Sequence, residues 1–126
     1  MPIKKPKLSE AQEQIIIFNW ARFVPELRWL FAIPNGGSRH VLEATNLKRQ
    51  GVKKGVSDMF LPIPKGKYHG LFIELKVGKN KATPEQREFI LHANKYNYHA
   101  EVCYGHEEAI DLIKRYLNLK PDEELS

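Results

Sequence analysis

The stretch "GVSDMFLPIPKGKYHGLFIELKVG" puts one carboxylate, Asp58, at the head of an apolar run and a second, Glu74, inside the next, with the ammonium of Lys76 two residues further on. Isolated charges are costly to bury unless they are paired or bound to a cation. Antiparallel pairing of the two runs turns the three charges into a site. If the turn between the runs centres on Gly66, Asp58 falls opposite Glu74, Phe60 opposite Phe72 and Leu61 opposite Leu71. Asp58, Phe60, Phe72, Glu74 and Lys76 then share one face, while Met59, Leu61, Ile63, Leu71, Ile73, Leu75 and Val77 make the other face wholly apolar. A slip of one residue would separate the carboxylates and mix the faces, so the pattern selects the register.

Opposed carboxylates repel unless one holds a proton or a cation lies between them. Mg²⁺ takes oxygen ligands, commonly one or two carboxylates completed by waters, and Asp58 and Glu74 supply that set. Lys76, on the same side, could orient or activate water or stabilise charge on a phosphate. Together the three residues suggest metal-assisted hydrolysis of a phosphodiester. A plainer reading stands beside it, in which Asp58 begins a strand at the surface and Glu74 and Lys76 form an exposed pair on a solvated sheet face.

The distribution of charge points to a polyanionic substrate. Within 35–57, Arg39, Lys48, Arg49, Lys53 and Lys54 stand against Glu43 alone, which places most of the net +5 just before the carboxylates. Each phosphate neutralised by such a stretch releases counterions. A solvated lysine-rich face is the alternative. At 126 residues the chain suits one domain with one core. Its longest apolar run, "IIIFNWARF", is too short and interrupted to span a bilayer, so no membrane partner is expected. "MPIKKPKLSEAQ" has positive charge but no apolar segment of a secretion signal behind it. The single cysteine, Cys103, can form neither an internal disulfide nor a cysteine-rich zinc site, which fits a reducing cytoplasm. Lying in "AEVCYG", it reads as a buried thiol rather than a nucleophile.

The elements that must position these residues follow from periodicity and caps. Ser9 with Gln12 fits a capping box and opens a helix over 10–23, with Ala11, Ile15, Phe18, Trp20 and Phe23 as its apolar positions and Pro25 as its breaker. "LRWLFAIPNGG" reads as a strand running into a turn, and Ser38 can cap a helix "RHVLEATNLKRQ" that Gly51 stops. The strands "DMFLPIP" and "GLFIELKV" are joined by the polar loop "KGKYH". Thr83, Pro84 and Gln86 open the helix "PEQREFILHANKY". "HAEVCYG" returns as a strand, and "EEAIDLIKRYLNL" closes as an amphipathic helix with Ala109, Leu112, Ile113, Tyr116 and Leu117 on one side. The order is α-β-α-β-β-α-β-α, with a basic tail at 1–8, one domain over 9–119 and a polar tail at 120–126.

"IPNGGSRHVLEATNLKRQGVKKGVSDMFL" followed by "GLFIELKVGKNKATPEQREFI" resembles the VRR-NUC domain, the virus-type replication-repair nuclease branch of the PD-(D/E)XK superfamily, and the resemblance covers about 9–117. "PNGG", "GVSD", "IELK" and a following "PEQ" together are far more specific than the bare nuclease motif. The resemblance implies an α/β, restriction-endonuclease-like PD-(D/E)XK core, a mixed four-stranded sheet flanked by helices, in a stand-alone member of the kind found in phages and bacteria. It implies a divalent-metal-dependent DNA endonuclease. The family's metal-binding aspartate falls on Asp58, although the commoner Pro-Asp has become Ser57-Asp58. The motif E-x-K falls on Glu74, Leu75 and Lys76, so Leu75 would lend its backbone carbonyl to Mg²⁺, or to Mn²⁺ in its place, and Lys76 would be the catalytic lysine.

An acid from the first helix often joins such sites. Positions 10, 13, 14 and 17 share one helical face; Glu10 is the family match and Glu13 the fallback. Gln86 matches the glutamine that follows E-x-K and is expected at the active site, although Thr83-x-x-Gln86 is itself a capping box. Asn35, Arg39, Lys53 and Lys54 are the expected contacts to the phosphate backbone. Stand-alone relatives resemble Holliday junction resolvases, which implies a homodimer acting on branched DNA. The rival readings are a non-catalytic DNA-binding or assembly protein on the same fold, and a nuclease acting on single strands or RNA.

Overall fold

In the computed structural model, which describes residues 7–34 and 41–126, the chain runs α1 (Glu10–Ala21), a 3-10 turn (Pro25–Leu27), β1 (Phe31–Ala32), α2 (Val41–Arg49), β2 (Met59–Leu61), β3 (Leu71–Lys76), α3 (Pro84–Lys95), β4 (His99–Tyr104) and α4 (Gly105–Leu117). The order of helices and strands is the expected one. Both predicted capping boxes form, Ser9 with Gln12 and Thr83 with Gln86. Gly51 stops α2 at φ +100°, with the Val52 N–H bonded to the Leu47 carbonyl and the Gly51 N–H to that of Lys48, the pattern of a Schellman cap. No described helix is long and apolar enough to cross a membrane.

The four strands lie in the order β1-β2-β3-β4, antiparallel except for the parallel pair β3 and β4. A parallel pair needs a crossover, and α3 provides it. Met59 pairs with Ile73, Phe60 with Phe72 and Leu61 with Leu71, the register that the two faces demand. At the hairpin tip Lys65 bridges Tyr68, which is one residue out of step with that ladder. The extra residue lies in the outgoing arm, "PIP", where Pro62 and Pro64 have no N–H to lose by leaving the ladder. Gly66 turns the tip at φ +56°, and a Cβ there would meet the Glu123 carbonyl oxygen at 2.3 Å.

That close approach shows where the polar C-terminal segment goes. The Lys67 N–H donates to the Glu123 carbonyl at 3.0 Å, the Leu125 N–H donates to the Tyr68 hydroxyl at 3.0 Å, and Leu125 packs on the core. Residues 120–126 are polar in composition yet docked on the hairpin.

One sheet face builds the core. Met59, Leu61, Leu71, Ile73, Leu75 and Cys103 meet Ile17 and Ala21 of α1 and Ala109, Leu112, Ile113 and Tyr116 of α4. Burial pushes the Cys103 thiol up to about 12, which keeps it in the unreactive thiol form. On the other face Phe60 stacks on Phe72 at 4.3 Å between ring centres, and Phe72 meets Phe89 of α3 edge-on at 5.0 Å. The sheet therefore lies between α1 with α4 and α3.

Two expectations at the N-terminal end are corrected. α1 ends at Ala21 rather than at Phe23, and its core stripe is Ile17 and Ala21; Ile15 and Phe23 are 59% and 87% exposed. The strand expected in "LRWLFAIPNGG" shrinks to two residues, because Pro25 starts a 3-10 turn and the apolar Leu27 and Leu30 are buried at and just after it rather than along a strand.

Candidate active site

The β2–β3 ladder opens one pair before it would reach Asp58 and Glu74. There the Asp58 backbone turns towards β1, its carbonyl accepting the Ile33 N–H at 2.7 Å. Its side chain takes over the bond to β3, with Oδ2 accepting the Leu75 N–H at 2.6 Å. That bond holds the Asp58 carboxylate beside Glu74. Glu74 is 1% exposed and Lys76 8%, which overturns the plainer reading of a solvated sheet face. Lys76 Nζ lies 3.7 Å from Glu74 Oε2, while Glu74 Oε1 is buried with no hydrogen-bond partner among the described residues.

Burial, then contact with the Asp58 carboxylate and its charge, push the Glu74 carboxyl up to about 9; Lys76 pulls it down and Glu10 adds to the rise. At neutral pH and without a cation Glu74 therefore holds a proton. An orphaned buried carboxylate oxygen facing a second carboxylate fits a hard divalent cation, Mg²⁺ or Mn²⁺. Among the described residues no group of three or more His, Cys, Asp and Glu is gathered to hold a metal. A cation here would rest on two carboxylates, a carbonyl and water, the sparse protein ligation that Mg²⁺ accepts.

These residues open into a cavity of about 790 Å³, whose lining includes Glu10, Gln14, Asp58, Glu74, Leu75, Lys76 and Gln86. The geometry separates the two acids of α1. Glu13 turns to α4, where its carboxylate accepts the His106 backbone N–H at 2.7 Å and contacts His106 Nδ1. It thus closes a helix N-terminus whose N-cap, Tyr104, makes no side-chain bond. Burial raises the Glu13 pKa, but the two bonds and the charge of His106 outweigh burial and hold it below the ordinary value. Glu10 lines the cavity, its Oε2 accepting Asn80 Nδ2 at 3.2 Å.

Gln86 closes its capping box and also lines the cavity. Its side-chain oxygen accepts the Thr83 N–H at 2.8 Å, which closes the capping box and leaves the amide NH₂ as the group for the cavity it lines. Lys53 and Lys54 are exposed and outside the cavity lining, with Lys54 3.8 Å from Glu85. Asn35 and Arg39 lie outside the described residues.

Sequence reasoning missed Arg22 and Asn80. The stripe Ala11, Ile15, Phe18 and Arg22, whose apolar members it read only as helical spacing, lines the cavity, with Phe18 also packing on the core. The available signal was the arginine that ends this stripe. Asn80, in the loop after β3, carried no signal, because exposed asparagine in a loop is ordinary.

The comparisons with known proteins agree on one family and on the fold. The model of the VRR-NUC domain family matches residues 4–107. A solved structure described as a VRR_NUC domain protein aligns with a TM-score of 0.81 at 33% identity, over 92% of this chain and 93% of its own. A search of the curated proteins finds no match. The matched span holds every residue of the Asp58, Glu74 and Lys76 cluster, and the mixed sheet between helices is the PD-(D/E)XK-like core that the resemblance implied. With the family model and the solved structure in agreement over nearly the whole chain, the chain belongs to the VRR-NUC domain family of nucleases.

Proposed function

We propose that this chain is a divalent-metal-dependent DNA endonuclease, served by Mg²⁺ with Mn²⁺ able to substitute, that acts as a homodimer on branched DNA such as a Holliday junction. The observation that supports it best is Glu74, which is almost wholly buried beside Asp58, lines an open cavity and keeps one oxygen without a partner among the described residues. A purely structural ion pair gains nothing from a second, half-buried carboxylate beside it.

Asp58, Glu74 and the Leu75 carbonyl would hold the cation, which supplies Lewis-acid polarisation of a phosphate oxygen and lowers the pKa of water at the site. The chain's own groups do the rest. The Leu75 N–H pins Asp58 in place. Lys76, held beside Glu74, brings a positive charge to orient water and offset charge gathering on the phosphate. Gln86 offers its NH₂ to the same cavity, and Glu10 brings a third carboxylate from α1. Asn35, Arg39, Lys53 and Lys54 would hold the phosphate backbone on either side of the cut.

Each chain carries one Asp58, Glu74 and Lys76 cluster, whereas cutting both strands of a junction takes two, which favours a symmetric pair. Recognition would come from backbone contacts and DNA shape. We place the activity in the cytoplasm, where a lone buried Cys103 stays reduced.

The test is incubation with a four-way junction, a duplex and a single strand, each with Mg²⁺ or EDTA. Cleavage that requires Mg²⁺ and is fastest on the junction is the expected result. No metal-dependent cleavage of any substrate overturns the enzymatic reading and leaves a binding or assembly role. Full activity in Asp58→Ala overturns the site.

A further inference from the structure

The corner where α1 gives way to β1 exposes more aromatic surface than packing requires. Phe23 is 87% exposed, Trp29 67% and Phe31 45%, all within nine residues. A second cavity, of about 370 Å³, opens at this corner and is lined by Phe18, Ala21, Arg22, Leu27, Arg28 and Leu30. Among the described residues its wall is apolar apart from the two guanidiniums, and no carboxylate lines it. Among the described residues neither arginine is in a salt bridge. The Arg28 guanidinium lies 5.8 Å from the centre of the Trp29 ring. Phe18 and Arg22 also line the catalytic cavity, so the two cavities adjoin along α1.

An apolar slot with a cationic rim matches one nucleotide of a polynucleotide strand, the base against the apolar wall and the phosphates on the arginines. A base inside a duplex has both faces covered by its neighbours, so only an unstacked base can enter. We propose that this second cavity is a nucleobase subsite, which takes one unstacked base of the strand whose backbone passes the Asp58, Glu74 and Lys76 cluster. Phe18 and the apolar wall receive the base, Trp29 with Arg28 extends the stacking surface, and Arg22 holds the phosphate between base and cut. The proposal rests on nucleic acid being the substrate. It adds that an unpaired nucleotide beside the scissile bond is what the enzyme selects, which a junction or flap offers and an intact duplex does not.

The test needs no catalysis and so fails separately from the nuclease reading. In Trp20→Phe protein, where Trp29 is the sole tryptophan, fluorescence is followed in EDTA during titration with oligothymidine, with an abasic deoxyribose-phosphate oligomer of equal length and with a closed hairpin duplex. Oligothymidine should quench Trp29, and the other two should not. In the complementary Trp29→Phe protein, which keeps Trp20, the quench should vanish, and Trp29→Ala or Arg28→Ala should weaken oligothymidine binding roughly tenfold. Equal quenching by the abasic oligomer, or none by oligothymidine, overturns the subsite even if Mg²⁺-dependent cleavage is found. Trp29 emission that follows protein concentration and ignores DNA also overturns it, and makes the corner a contact between copies of the chain. Quenching by oligothymidine in a protein that cuts nothing would keep the subsite and discard the nuclease.

Discussion

Glu74 is an acid whose state depends on what stands beside it. Its folded pKa, pushed up to about 9 from the ordinary 4.5, means that the metal-free fold keeps a proton that the unfolded chain releases near pH 4.5. Between those values the folded state binds more protons than the unfolded, so stability falls as pH rises and levels off above the folded pKa. Urea melts in EDTA should show that decline across about pH 5 to 9, and Glu74→Gln should flatten it while abolishing cleavage; an unchanged slope would mean that Glu74 is ionised in the fold. Lys76→Ala should cut cleavage by roughly 10²–10³-fold while the thermal shift produced by Mg²⁺ persists, since its charge serves the reaction rather than the cation. Loss of that thermal shift would reverse the assignment. These residues were legible because charge inside apolar strands is expensive and has to be accounted for. Arg22 carried only the weak signal of an arginine that ends an apolar stripe, and an arginine at a helix end has an ordinary explanation.

At the scale of elements, α1 carries three duties on one turn of sequence after another. Ile17 and Ala21 enter the core, Glu10 and Gln14 face the cavity, and Glu13 closes α4. A helix divided this way has no single apolar stripe, which is why its start was readable from Ser9 and Gln12, and its end from Pro25 only to within two residues, while its buried face was not. β2 and β3 were easier, since a period of two leaves only two faces to choose between and one of them was wholly apolar. The two acids of α1 should part company on mutation. Glu13→Ala should cost about 1.5 kcal/mol of stability at neutral pH by freeing the start of α4. Because its folded pKa is lowered, that contribution is complete above the ordinary 4.5 and fades as pH falls through the folded value, so wild type and variant should converge in acid melts. Glu10→Ala should leave the melting curve nearly in place and slow cleavage. An exchange of these two outcomes would make Glu13 the active-site acid.

Over the whole molecule, the cavity sits where β2 and β3 part, lined by α1, by Ala32, Ile33 and Pro34 at the end of β1 and by Gln86 of α3, with the loop that enters β2 and the loop that leaves β3 flanking its edge at Asp58 and at the Asn80–Glu10 bond. The exposed Lys53 and Lys54 lie on the first loop, and the exposed Lys79 and Lys81 on the second, beside Asn80 and its bond to Glu10. Only the first pair was legible as a basic run before the carboxylates; the second gains its meaning from β3 ending at Lys76, which brings the next loop to the same opening. Lys54 with Glu85 is an exposed pair of the kind worth little to folding, so removing these lysines should hardly move the melting temperature. Their effect should appear in the ionic-strength dependence of binding. Each phosphate neutralised on duplex DNA contributes a slope of about −0.9 to log K against log salt. Lys53→Ala with Lys54→Ala should therefore reduce the slope by about two, measured by anisotropy on a junction in EDTA, with cleavage at saturating junction little changed. An unaltered slope would mean that the lysines form a solvated face and that the DNA crosses the molecule elsewhere.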